Sequence, residues 1–110
     1  HGIFPGQPLN YIGSAIHTPS SSGNTINKGG IQASDISQNY HIYSMNWSPN
    51  QITFLLDGVV FYTYNPTVKN SSTWPFNDPQ YLLLNVAIEP SISSSFTQSA
   101  MEIDYVRVYQ

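Results

Sequence analysis

The chain has 110 residues, 40% apolar, 14% aromatic and 8% charged, and three Lys and Arg against six Asp and Glu leave a formal charge of −3. That length holds one domain at most, and its cations, Lys28, Lys69 and Arg107, are too scattered to neutralise a run of phosphates, which argues against nucleic acid or an anionic membrane as partner and for an uncharged ligand. Cysteine is absent, which excludes disulfides and thiolate metal sites, and no apolar run approaches the roughly 20 residues that a membrane helix needs.

The chain opens His1-Gly2-Ile3 and its methionines are Met45 and Met101, so it is read as a piece of a longer polypeptide. Helical periodicity is missing, because Pro, Gly, Ser and Asn interrupt nearly every window long enough for two amphipathic turns. Residues 1–8, with Pro5, Gly6 and Pro8, read as a loop, and residues 11–17 as a strand ending in His17. A Ser-rich loop follows over residues 19–23. Residues 26–31 form a short strand, with a bulge or tight bend expected at Gly29-Gly30.

The clearest stretch comes next. Residues 40–47 are a strand, Ser48-Pro49-Asn50 a turn, and residues 51–56 and 59–64 two strands joined by Asp57-Gly58. Asp-Gly between β-branched and aromatic runs marks a two-residue hairpin, because a type I′ turn requires positive φ at both central positions. A loop over residues 65–79 carries Trp74-Pro75-Phe76. Residues 81–88 are almost continuously apolar and read as a central strand covered on both faces, and residues 101–109 as a closing strand. Strands at this spacing indicate an all-β fold, an antiparallel β-sandwich. The strands read as doubly covered have too few partners within this chain, so a second polypeptide or an upstream segment is expected to complete the opposing sheet.

Few residues carry obvious chemistry. Asp57 reads as turn chemistry, and Asp35 and Asp78 as loop residues that cap or solvate. Glu102 and Asp104, two apart on one strand face, have Cα atoms about 6.5–7 Å apart, a spacing that suits a carboxylate pair, simple solvation or a hard oxygen-binding cation such as calcium. His17 ends a strand beside a loop, where an imidazole can reach a cleft, whereas His41 within an aromatic strand reads as structural. Gly29-Gly30 beside Lys28 lacks the pattern of a phosphate loop. Aromatic side chains in a weakly charged chain suit stacking on sugar rings; Trp47 reads as core and Trp74, in its loop, as the stacking platform.

Three ordered blocks resemble glycoside hydrolase family 16, its laminarinases (endo-β-1,3-glucanases) above all. They are Tyr40-His41-Ile42-Tyr43-Ser44-Met45-Asn46-Trp47-Ser48-Pro49 followed by Ile52-Thr53-Phe54-Leu55-Leu56-Asp57-Gly58; Trp74-Pro75-Phe76-Asn77-Asp78-Pro79-Gln80-Tyr81-Leu82-Leu83-Leu84-Asn85-Val86-Ala87; and Asp104-Tyr105-Val106-Arg107-Val108-Tyr109. The resemblance implies a concanavalin-like β-jelly roll, a concave face that binds β-glucan polysaccharide, and a retaining double-displacement mechanism. The family's catalytic E-x-D-x-(x)-E string does not occur here; Glu102-Ile103-Asp104 imitates its first half without the following Glu. Residues 1–110 therefore resemble the C-terminal half of the domain, with no catalytic residue in this chain and a complementary N-terminal fragment as partner.

By position in the family pattern, His17, in Gly13-Ser14-Ala15-Ile16-His17-Thr18, matches a cleft residue that hydrogen-bonds the sugar or a catalytic carboxylate. Asp104 matches a ligand of structural calcium, and Asn85 a second cleft residue. Glu89-Pro90 stands where Gly-Gly often occurs, which places Glu89 at the substrate end of the cleft and alters its specificity. A polymeric substrate implies a secreted or extracellular protein, in the periplasm or at the cell surface. The other reading is a non-catalytic carbohydrate-binding β-sandwich, which binds laminarin and releases no reducing sugar.

Overall fold

In the computed structural model, which describes residues 6–8 and 10–110, Asp57 and Gly58 take φ values of 50° and 80°. These are the left-handed values that a two-residue type I′ turn demands, and they join β4 (Ile52–Leu56) to β5 (Val59–Tyr64) as the sequence predicts. β3 (Tyr43–Trp47) pairs antiparallel with β4 on its other side, giving a three-stranded meander in the order β3-β4-β5. A separate antiparallel ribbon joins β1 (Tyr11–Ala15) and β2 (Lys28–Gln32). The described residues contain no helix, and the antiparallel all-β class expected from the sequence holds. The loop expected over residues 1–8 falls mostly outside the described residues.

Two compact units divide the chain, the first ending at Pro79 and the second covering Gln80–Gln110. All five strands belong to the first. Its core is two clusters. Ile12, Ile36 and Leu56 form one, with Phe61 packed against it. Ile16, Ile52, Tyr64 and Trp74 form the other, joined by Phe54, Tyr62 and Phe76. The alternation of a strand explains the membership: Ile52, Phe54 and Leu56 point to one face of β4, and on β5 their partners Tyr64, Tyr62 and Val59 share it. A bulge between Phe54 and Leu55 changes the phase of β5, because Phe54 faces Tyr62 while Leu55 faces Val60. The extra residue is Phe61, which can thereby reach the first cluster while Tyr62 reaches the second.

β2 corrects one expectation. Its register with β1 runs regularly through Gly29 and Gly30, with no bulge. The glycines serve close approach instead: a Cβ on Gly29 would lie 2.7 Å from the Tyr62 ring, and one on Gly30 would collide with the Tyr11 side chain and the Ile12 carbonyl. β1 also ends sooner than expected, at Ala15, although the Ile16 N–H still donates to the Asn27 carbonyl at 2.8 Å.

The second unit departs further from the sequence reading. Residues 81–88 and 101–109, expected as strands, carry no ladder hydrogen bonds, and their apolar side chains are exposed, Tyr81 by 85%. An apolar β-branched run becomes a strand only where a neighbour accepts its N–H and C=O groups and covers its faces. Among the described residues these two runs have no ladder partner, so they form no strand. Within this unit the Arg107 guanidinium lies 4.3 Å over the Tyr105 ring.

The approach of Gly29 to Tyr62 sets a stability test. Replacing Gly29 with Ala forces the Tyr62 ring off its place against Phe54, and denaturant unfolding is expected to show a loss of about 1–3 kcal/mol. A Gly23→Ala control carries the steric cost of a positive φ, 61°, without any neighbouring atom to displace, and isolates the packing contribution.

Candidate functional site

His17 lies two residues past β1, between the buried side chains of Ile16 and Thr18. Alternation turns its own ring outward, and His17 is exposed. The backbone at this point is held on both sides, because Thr18 and Ser21 exchange N–H···O=C hydrogen bonds of 3.1 and 3.0 Å and Ile16 bonds to Asn27. Thr25, itself buried, donates its hydroxyl to the Ile16 carbonyl at 2.8 Å and accepts the Asn27 N–H at 3.0 Å. That uses the single Thr25 proton, so the Ser21 hydroxyl, 2.7 Å away, donates to it. A polar turn built from hydroxyls thus presents an imidazole to solvent from a fixed position.

Trp74 does not fulfil its expected role as an exposed platform. It is 3% exposed, stacked on Tyr64 at 6.0 Å and met edge-on by Phe76 at 5.4 Å, with the Lys69 ammonium 5.6 Å from its ring centre. The loop folds its tryptophan inward because Asn70 caps a tight turn. The Asn70 carbonyl accepts the Trp74 N–H at 2.7 Å, and its side chain accepts from Ser72 and Thr73. With both ring faces committed to the core, no sugar can stack there. Trp47, expected in the core, is 43% exposed on β3.

Asn85, Glu89 and Asp104 belong to the second unit, where each is exposed and outside any strand. Asp104 has one carboxylate, whereas calcium takes six to eight oxygens. Among the described residues no three His, Cys, Asp or Glu gather as a metal centre.

A cluster that the sequence reading treats as three separate residues is brought together at the hairpin. The His41 Nδ1 lies 2.7 Å from Asp57 Oδ2, and its Nε2 faces Asp35 Oδ1 at 3.5 Å. The other Asp57 oxygen accepts the Ile42 N–H at 2.8 Å, while the Asp57 N–H donates to the Ile42 carbonyl, also at 2.8 Å. The imidazole is 9% exposed. Its hydrogen bond to Asp57 raises the His41 pKa above 6.5, and the carboxylate of Asp35 adds to this. The same bond lowers Asp57 below 3.8; Asp35 is lowered chiefly by the amide of Asn39, 3.0 Å away. His41 Nδ1 is committed to Asp57, while the buried Nε2 makes no hydrogen bond among the described residues, and the cluster pins the residues before β3 to the β4–β5 turn.

Comparison with known proteins identifies the family. The model of glycosyl hydrolases family 16 matches residues 4–107. The chain belongs to glycosyl hydrolase family 16. It is 36% identical to the keratan-sulfate endo-1,4-beta-galactosidase of Sphingobacterium multivorum, over 100% of this chain and 24% of that protein. Its identity to the glucan endo-1,3-beta-glucosidase A1 of Niallia circulans is 34%, over 64% of the chain and 12% of the relative. The crystal structure of a laminarinase from Flavobacterium sp. UMI-01 superposes with a TM-score of 0.64 at 33% identity, over 69% of this chain and 33% of that one. The chain thus spans about a quarter of the galactosidase and a third of the laminarinase. Its antiparallel family 16 architecture accords with that laminarinase.

The pinned histidine fixes a pH profile for the family 16 chain. His41, with a raised pKa, contributes stability fully below 6.5 and loses it as pH climbs through the folded value. Asp57 and Asp35, with lowered values, contribute above 3.8 and lose it as pH falls through theirs. Melting temperatures measured from pH 3 to 9 are expected to show this contribution between those limits, and His41→Gln is expected to flatten the alkaline limb and to weaken the acid limb, because Asp57 loses the partner that lowers it. A wild-type and variant difference that does not change with pH refutes the assignment.

Proposed function

We propose that this chain forms part of a retaining endo-β-1,3-glucanase of laminarinase type, with the catalytic carboxylates supplied by a complementary N-terminal segment of the same domain. The observation that carries this reading is the likeness to the laminarinase fold at 33% identity, supported by a second relative named as an endo-1,3-beta-glucosidase. The division of labour is supported by the absence of any E-x-D-x-(x)-E string from the 110 residues. In a retaining glycosidase two carboxyl groups about 5–5.5 Å apart act as nucleophile and acid/base, and none of the acidic residues here is assigned either role. This chain contributes the framework and His17, whose outward imidazole hydrogen-bonds the bound sugar or a catalytic carboxylate, with Asn85 and Glu89 as further substrate contacts. The substrate is a β-glucan, which is cut outside the cell because the polymer is too large to enter.

The non-catalytic reading, a β-sandwich that binds glucan without cutting it, is favoured by the same missing string and separates cleanly by assay. The 110-residue chain alone is expected to release no reducing sugar from laminarin, and the chain combined with a segment bearing E-x-D-x-(x)-E is expected to release it. In the assembled enzyme His17→Ala is expected to lower kcat/KM about tenfold, the worth of one strong hydrogen bond. Binding without cleavage in the assembled protein selects the module reading instead.

Calcium belongs to the same proposal, with Asp104 as one ligand in the assembled domain. Chelator is then expected to lower the melting temperature of the assembled protein, and Asp104→Ala to abolish that sensitivity. An unchanged melting curve removes calcium from the account.

A further inference from the structure

Beside β5 lies an open, shallow depression of about 370 Å³ whose sides come from three segments: residues 20–27, the end of β5, and residues 65–73. Its size is near the lower bound of small-molecule sites, about 300 Å³. The floor is tied, because the Ser20 N–H donates to the Ser72 carbonyl at 3.0 Å and so joins the two loops. One wall is fixed by the Ser21 and Thr25 hydroxyl relay described above. The opposite wall is fixed by the Tyr64 hydroxyl, which donates to the Thr73 carbonyl at 2.6 Å, and by the Thr73 hydroxyl, which donates to Val68 at 2.6 Å. These bonds are made without any ligand, so the shape is set in advance.

The lining mixes polar side chains with the apolar Ile26 and Pro66. Ser20, Ser21, Thr63 and Thr73 bring hydroxyls, Asn27 and Asn65 amides, and Tyr62 and Tyr64 aromatic rings; no charged side chain lines the depression. The lining side chains are neutral, with the Lys69 ammonium behind them donating to Asn65 Oδ1 at 2.8 Å, and they match a ligand that alternates hydroxyl groups with apolar C–H faces. Asn27 is half-buried, and its main chain is held at both ends by Ile16 and Thr25. Its side-chain amide, with two donors and an acceptor, has no hydrogen-bond partner among the described residues.

The geometry points to a binding site in this depression for one neutral glycosyl unit, with Asn27 as its main polar contact and Tyr62 beneath the ring. The inference rests on the glycosidase reading for the kind of polymer that supplies the unit. His17, outward on the turn that leads into this wall, is separate from the lining, so the site is an accessory grip on the glycan.

The test is heteronuclear NMR and calorimetric titration of the full chain and of the assembled domain with laminaribiose, with lactose, and with a galactose 6-sulfate. Either neutral disaccharide is expected to shift the amide signals of Ser20, Asn27 and Thr73, and Asn27→Ala to weaken binding about tenfold, the loss of one net hydrogen bond. Asn27→Asp keeps the size of the side chain and tests the contact where the alanine variant unfolds; it is expected to weaken binding by at least as much. Ser37→Ala, outside the depression, is expected to leave binding unchanged. Tighter binding of the sulfated sugar, shifts that map elsewhere, or wild-type affinity in a folded Asn27 variant overturns the site. An assembled domain that cleaves laminarin while the Asn27 variants bind normally refutes this inference and leaves the glycosidase reading standing. Absence of any binding or cleavage of β-glucan refutes both.

Discussion

Everything in the first unit depends on how closely the β1–β2 ribbon approaches the meander. Ile12 and Ile16, four residues apart on one face of β1 and its continuation, supply the aliphatic side of both core clusters; β4 supplies Leu56 and Ile52 opposite them. For β2 to lie against β5 as well, its residue facing Tyr62 must lack a Cβ, and the sequence places Gly29 there; Gly30 makes room within the ribbon for the Tyr11 side chain of β1. Glycine in a strand lowers its intrinsic stability, by roughly 0.5–1 kcal/mol relative to Ala. That cost is offset by letting Tyr62 keep its place beside Phe54, 6.1 Å centroid to centroid.

The same packing explains why burial fades across the meander. Tyr43, Met45 and Trp47 of β3 sit opposite Leu56, Phe54 and Ile52 and therefore share their face. Their β4 partners are buried or half-buried while all three remain exposed. Within the first unit β2 lies against β5, and Ile12 and Ile16 share clusters with Leu56 and Ile52 of β4. An outer strand with an apolar stripe and one unpaired edge is a surface that folded proteins ordinarily cover. Trp47 reads as core from its sequence setting because its face is the core face; what the sequence does not contain is which strand ends the covered region.

The hairpin and the antiparallel class were legible because their signals are local: Asp57-Gly58 fixes its own turn, and two-residue alternation fixes the strands on each side. The His41 cluster was also within reach. Pairing Trp47 with Ile52 across the Ser48-Pro49 turn sets a register that places Ile42 opposite Asp57, one residue from His41. Reading each residue alone, as turn, cap or core, hid the contact. Trp74 was misread for a non-local reason. Its loop looks polar and exposed in sequence, and nothing nearby announces that Asn70 turns the indole back onto Tyr64. For residues 81–88 and 101–109 composition indicates strand, but a strand is a property of a pair.

Low charge shapes how this chain closes its loops. Where other proteins use ion pairs, here Ser21 and Thr25 close one turn, Ser48 another through the Gln51 carbonyl, and Asn70 with Thr73 a third. Hydroxyls and amides do this at short range and without regard to salt, since no net charge is screened. Their cost is geometric: a hydroxyl has one proton, so each turn must be ordered to spend it on a single acceptor. His41, between Asp35 and Asp57, sits at the hairpin tip, where it anchors the start of β3. The side chains that line the β5 site are neutral donors and acceptors, the setting in which an uncharged polyol can exchange water for protein without leaving an ion unsolvated.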